Sequence, residues 1–326
     1  MITTRDIDFH TPDDPPHDWA ETSYFYCYDP DSNVLAWVYL VCRAGVGAVA
    51  VDVTVIDTIG SKTVDALYVD FQQHLPLPSS LSDFTLPNGL HLKANGPREY
   101  RIDYESADAI LALDVRGVME PFDIHDPNMD PMAESDPNAA VEHSGFGAAY
   151  ASHFDMTVRV TGTIGVRGTT IPVDCIATMD HSWGPRGERG QRPMVWANAN
   201  FDERTAMQTI WSFDPSATGV DQYTFRHGYV LIDGKVKGLT GGQLSSKRFE
   251  HFPMSYDMTV TDLDGSEHLF HGGAQSMIPW AAYSCTFVPT GLFRWHYGSN
   301  VGYGVAQENF PLDSQTGKKL GIGRTV

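Results

Sequence analysis

The chain has 326 residues, 42% of them hydrophobic, 11% aromatic and 19% charged, which is the make-up of a soluble globular protein with apolar mass for more than one core. Its formal charge is −19 and its pI about 4.9. That balance lacks the basic patches that nucleic acids and anionic membranes require, so neither is expected as a partner.

Met1 to Asp14 is polar and has no apolar signal-peptide segment, so a cytoplasmic protein is expected. The apolar run from Val34 to Cys42 is too short to span a bilayer, and no transmembrane segment is expected. Cys27, Cys42, Cys175 and Cys285 stand far apart, with no Cys-x-x-Cys pair. They suit reduced, partly buried thiols better than a zinc knuckle or a disulfide framework.

The patterning has a period of two. Val49, Val51, Val53 and Val55 alternate with smaller or polar residues, and Val158, Val160, Gly162, Ile164 and Val166 alternate with Arg159, Thr161, Thr163, Gly165 and Arg167. Such alternation marks half-buried strands. Turn signals recur at Asp29-Pro30-Asp31-Ser32-Asn33, Pro87-Asn88-Gly89 and Arg167-Gly168. Asp233-Gly234 and Asp264-Gly265, each between extended patterns, predict tight hairpins. No long amphipathic helix is visible. The pattern predicts an all-β protein of antiparallel barrels or sandwiches. Between Glu120 and Asn138 prolines and acidic residues interleave, which predicts a solvated, lid-like loop. Asp126-Pro127-Asn128-Met129-Asp130 begins like a calcium loop, but Pro131 and Pro137 stand where that loop needs Gly and Glu.

The densest chemistry is in Met179-Asp180-His181-Ser182-Trp183-Gly184-Pro185-Arg186. Side chains two apart on a strand share a face. His181 and Trp183 therefore fall on one face, and Asp180 and Ser182 on the other. An acid/base group beside an aromatic wall suits proton transfer to an apolar substrate. The same residues also suit a structural corner in which Arg186 pairs with Asp180. Further on, Met194 to Phe213 predicts a hairpin with Trp196, Asn198 and Asn200 on one strand face and Gln208 and Ile210 on the return. If that hairpin lay beside the motif strand, His181, Trp183, Trp196, Asn198 and Gln208 would line one small-molecule pocket. A barrel core containing a few hydrogen-bonded amides is the alternative.

Other chemistries lack their signatures. No Gly-x-Ser-x-Gly, P-loop or His-Glu-x-x-His occurs, and no metal-ligand spacing is evident. His268 and His271 would fall on opposite strand faces. No cofactor and no metal is expected.

Three stretches together carry a family likeness. They are Trp19-Ala20-Glu21-Thr22-Ser23-Tyr24-Phe25 leading to Tyr28-Asp29-Pro30, then Val160-Thr161-Gly162-Thr163, then Asp180-His181-Ser182-Trp183-Gly184-Pro185-Arg186. In this order they resemble the superfamily of carotenoid 1,2-hydratases (hydroxyneurosporene synthase-like) and AttH-like proteins. The resemblance implies two tandem lipocalin-like antiparallel β-barrels, over residues 1–172 and 173–326, and an apolar, often terpenoid, ligand. In the hydratases a His-x-Trp works with a later Tyr-x-Asp. His181 and Trp183 match the first pair. By spacing, the second pair falls at Gln208 and Ile210, so neither the Tyr nor the Asp is present.

The expected activity is a cofactor-independent lyase or hydratase acting on an apolar small molecule such as a terpenoid or steroid. The alternatives are an isomerase, cyclase or pericyclic catalyst in the same cavity, or a hydrophobic-ligand carrier without turnover. His181 or Asp180 would move the proton and Trp183 would face the developing charge. Asn198 or Gln208 would hold a water or carbonyl, and Trp196 and Arg186 would complete the substrate contacts. A homodimer is one open assembly.

Overall fold

Period-two sequence becomes strand almost throughout the computed structural model, which describes residues 2–134, 146–187 and 191–315. The chain divides into two units. One comprises Met1–Asp57, Val64–Asp123 and Ala148–Arg186, and the other Thr58–Thr63, Ile124–Gly147 and Gly187–Val326. The expected boundary at residue 172 falls inside a strand of the first unit.

The first unit is a curled, antiparallel half-barrel. Its strands are β1 (Trp19–Asp29), β2 (Val34–Arg43), β3 (Ala48–Ile56), β4 (Tyr68–Pro76), β5 (Asp83–Thr85), β6 (Leu90–Gly96), β7 (Glu99–Glu105), β8 (Ala109–Gly117), β9 (Phe122–Asp123), β10 (Ser152–Val166) and β11 (Thr169–Pro185). The order is β4-β3-β2-β1-β11-β10-β8-β7-β6-β5, with β9 against β10. The uncharged run at Val34 is β2. It is buried on both faces, and a doubly buried strand needs continuous rather than alternating apolar sequence. The edges are protected by the brevity of β5 and by the polar residues and terminal proline of β4.

The second unit is a closed antiparallel barrel with its strands in chain order. They are β12 (Met194–Asp202), β13 (Thr205–Phe213), β14 (Tyr223–Ile232), β15 (Lys235–Phe249), β16 (Phe252–Asp262), β17 (Glu267–Trp280), β18 (Thr286–Tyr297) and β19 (Asn300–Pro311). Alternate residues such as Val195, Ala197, Met207, Trp211, Tyr256, Phe293 and Phe310 fill its interior. The two tandem lipocalin-like barrels implied by the resemblance are thus present in a closed and a half-open form.

The expected tight turn at Asp233-Gly234 is formed, with φ of 53° and 76° and Ile232 paired to Lys235. The second, at Asp264-Gly265, opens into a longer loop. Asp262 Oδ1 draws in the backbone N–H groups of Asp264 and Ser266, each at 2.9 Å, and so holds a wider turn. The proline-rich loop also differs from expectation. Ile124 and Asp130 are fully buried, because Asp130 Oδ2 meets His227 Nδ1 at 2.7 Å in exchange for water. The last part of that loop, residues 135–138, lies outside the described residues.

Candidate functional site

The motif strand β11 runs between β1 and β10. Ser23 stands opposite His181 and Glu21 opposite Trp183 on one side, and Phe154 stands opposite His181 on the other. Direct partners in an antiparallel pair share a face. Glu21, Ser23, Phe154, His181 and Trp183 therefore make one face. Thr22, His153, Asp155, Asp180 and Ser182 make the other. Gly184, at φ 149°, takes a backbone conformation that side chains resist, and β11 stays paired as far as Pro185.

His181 is 4% exposed. Its Nδ1 lies 2.8 Å from Ser23 Oγ, while its Nε2 is buried with no hydrogen-bond partner. The rings of Trp183 and Phe154 stand 5.3 and 5.5 Å away, centroid to centroid. Burial pulls the imidazole down to about 4, with the nearby Glu21 charge only partly opposing, so the ring is neutral at ordinary pH.

Two residues that sequence reasoning missed complete this face. His10, in the segment before β1, stacks on Trp183 with centroids 3.5 Å apart and planes within 1°. Glu21 is a buried carboxylate with many donors. It accepts the His10 backbone N–H at 2.9 and 2.8 Å on its two oxygens. Oε1 also takes Thr11 Oγ1–H at 2.8 Å and Trp19 Nε1–H at 3.2 Å. Oε2 lies 3.3 Å from His10 Nδ1. Burial alone would raise the Glu21 pKa, but these hydrogen bonds outweigh it and hold the group below its usual range. The remaining His10 nitrogen, Nε2, meets Asp6 Oδ1 at 3.3 Å. One donor atom each from His10, Glu21 and His181 lies within 4.8 Å of the others, so these three residues could hold a metal ion. The signal for Glu21 was its place two residues before Ser23 in the stretch that carries the resemblance. For His10 no local pattern gave one.

The other face is organised by Arg186. Its guanidinium donates to Thr22 Oγ1 at 3.1 Å, to Ser182 Oγ and to the Ala149 carbonyl at 3.1 Å, and lies over the Tyr150 ring. His153 Nε2 sits 2.9 Å from Asp155 Oδ2, and its Nδ1 3.8 Å from Asp180 Oδ2. Burial raises Asp180 to about 7, with Asp155 adding to the shift and His153 and Arg186 opposing it. His153 is raised as well: burial would lower it, but the Asp155 charge and hydrogen bond prevail. Asp180 and Arg186 thus lie apart from the face that holds His181 and Trp183.

Trp196 and Asn198 stand on β12 and Gln208 on β13; β12 pairs with β13 and β19, whereas β11 pairs with β1 and β10. All three side chains are buried on the faces of β12 and β13 that point away from the barrel's interior cluster. Asn198 Oδ1 accepts the Val305 backbone N–H at 3.1 Å, where the β12–β19 ladder is interrupted. Both ends of the Gln208 amide are buried without a partner.

Solved structures with this fold include a protein described as AttH from Nitrosomonas europaea, at 14% identity and TM-score 0.56, covering 89% of this chain and 92% of that one. Kievitone hydratase from Nectria haematococca matches at 9% identity and TM-score 0.55, covering 93% of this chain and 92% of that one. These matches bear out the resemblance to the hydratase and AttH-like superfamily at the level of fold. No curated protein matches the sequence. The family model that does match, Domain of unknown function (DUF7064), spans residues 4–311 and with them both units, and the chain belongs to that family.

Proposed function

We propose that the protein is a hydratase- or lyase-type enzyme that adds or removes water on an apolar small molecule, of terpenoid or steroid class, by proton transfer at His181. One observation carries this reading: His181 Nε2 is buried and unpartnered while Ser23 holds Nδ1 and aromatic rings flank the imidazole. A neutral imidazole so placed can take a proton from water as its oxygen bonds to one alkene carbon and return that proton to the other. In the reverse direction it takes the proton from carbon and hands it to the departing hydroxyl, which leaves as water. A positioned group of this kind contributes roughly 10²–10⁴-fold to rate. The Trp183 face stabilises a developing cation by about 0.5–2 kcal/mol. The resemblance to the hydratases' His-x-Trp, and a hydratase among the proteins that share the fold, support the same class. No nucleotide or redox cofactor is part of the proposal.

A second reading, an isomerase or cyclase using the same imidazole, draws on Ile210. That apolar, buried residue stands where the hydratases' carboxylate falls by spacing, and proton shuttling within one substrate needs no second acid to deliver water.

The test is a screen of apolar alkenes and alcohols for gain or loss of one water by mass spectrometry, with isomeric products resolved by chromatography. Wild-type turnover that His181→Ala cuts about 10²–10⁴-fold is expected. Trp183→Ala should also weaken binding, because a large aromatic surface is lost. Full turnover by a folded His181→Ala protein would remove His181 from the chemistry, and wild type that binds such molecules without converting any would leave ligand carriage as the function.

A further inference from the structure

We propose that His10, Glu21 and His181 form a binding site for one divalent transition-metal ion, through His10 Nδ1, Glu21 Oε2 and His181 Nε2. The donor set is that of zinc sites with two imidazoles and one carboxylate, which keep a fourth position open. Two nitrogen donors disfavour Mg²⁺ and Ca²⁺, which prefer all-oxygen shells.

The geometry is half formed. A tetrahedral ion with bonds of about 2.0–2.1 Å separates its ligands by about 3.3 Å. His10 Nδ1 and Glu21 Oε2 already stand 3.3 Å apart, and His10, Glu21 and His181 each offer a donor atom within 4.8 Å of the other two. Closing that gap asks for a small shift of His10, which lies outside any strand.

Each ligand is also held from behind, as metal ligands generally are. Asp6 engages His10 Nε2 and leaves Nδ1 for the ion. Ser23 engages His181 Nδ1 and leaves the unpartnered Nε2. Thr11 and Trp19 anchor Glu21 Oε1 and leave Oε2. Trp183 fixes the plane of the His10 ring. Binding would replace the contact between His10 Nδ1 and Glu21 Oε2, with the His10 ring proton on Nε2 facing Asp6.

The inference goes beyond the acid–base reading and competes with it for one atom. An ion on His181 Nε2 excludes proton transfer there, so the loaded protein is inactive by that route.

The experiment titrates the untagged, chelator-treated full chain with Co²⁺, followed by its visible ligand-field absorption, and with Zn²⁺ in competition with a chromophoric chelator. One equivalent should bind to wild type. His10→Ala and Glu21→Gln should abolish that binding, and Asp6→Asn should weaken it about 10–100-fold. His10 and Asp6 side chains are partly exposed, at 16% and 23%, so those variants test the site even if Glu21→Gln fails to fold. Absence of stoichiometric binding, or binding unchanged in folded His10→Ala and Asp6→Asn proteins, overturns the proposal. The readout needs no turnover, so the two readings fail separately. Zinc bound at this site with turnover intact removes the acid–base role of Nε2 and leaves the metal site. Zinc that does not bind removes only the metal site.

Discussion

The two faces of β11 differ in what surrounds a buried imidazole: each keeps one ring nitrogen without a hydrogen bond, His181 Nε2 with aromatic rings flanking the imidazole and His153 Nδ1 with the Asp180 carboxylate 3.8 Å away. On the Arg186 face a planar cation meets two hydroxyls and a carbonyl, and the fork geometry of guanidinium suits such a set. On the His181 face a carboxylate has more donors than it needs, while the imidazole beside it keeps one nitrogen with none. A buried polar group left unpaired destabilises a fold by about 1–3 kcal/mol. Under the proposed function the unpaired His181 nitrogen is kept for proton transfer, and neighbouring residues in one strand then divide into a clamp around Arg186 and a reactive surface around His181.

Mutation should separate the faces. The largest effect expected is the 10²–10⁴-fold loss of turnover in His181→Ala, with little change in melting temperature. Arg186→Ala should do the reverse. Each lost hydrogen bond from a charged donor is worth roughly 1.5–3 kcal/mol, so chemical denaturation should show a large stability loss while turnover per folded molecule is preserved. If His181→Ala proved as destabilised as Arg186→Ala, the division between clamp and reactive surface would collapse. Ser23→Ala removes the partner of His181 Nδ1 and should cost about 0.5–1.5 kcal/mol of transition-state stabilisation, a few-fold in kcat at unchanged KM. The smallest effect concerns Asp180. Its pKa is raised in the folded protein, so the unfolded chain gives up the proton first as pH rises. The stability this group contributes is full below its ordinary value and is lost as pH climbs through about 7. Asp180→Asn should therefore flatten the fall in melting temperature between pH 4 and 7. An unchanged profile would show that Asp180 does not carry the dependence, since the raised His153 acts only above pH 6.5.

Much of this was legible in the sequence because strands write their faces in alternate residues. Val49 to Val55 and Val158 to Val166 announced β3 and β10, and the motif's own spacing separated His181 from Asp180. Glu21 and His10 were not legible as partners of His181. Their neighbourhood depends on β1 pairing with a strand far along the chain, and on a segment without regular structure folding back over Trp183. The pocket joining Trp196, Asn198 and Gln208 to the motif was conditional on adjacent strands, and strand partners cannot be read from local pattern: β12 pairs with β13 and β19, and β11 with β1 and β10. Asp130 was read as solvated because it is charged. The imidazole of His227, distant in sequence, and the Met132 backbone N–H together hold the buried carboxylate.

The pairing of β1 with β11 also bears on how the chain is made. β1 can form a hairpin with β2 as soon as both emerge, but its other edge waits for β11, which begins about 140 residues later; at 5–20 residues per second that is about 7–30 s of synthesis. Throughout that interval the nascent protein carries an unpaired strand edge rich in Tyr24, Phe25, Tyr26 and Tyr28. An open aromatic edge of this kind is a template for pairing with other chains. Crowded ribosomes on one message would present such edges to one another. Translation speed between the two strands, and the holdases available meanwhile, should therefore bear on how much of the chain escapes such pairing.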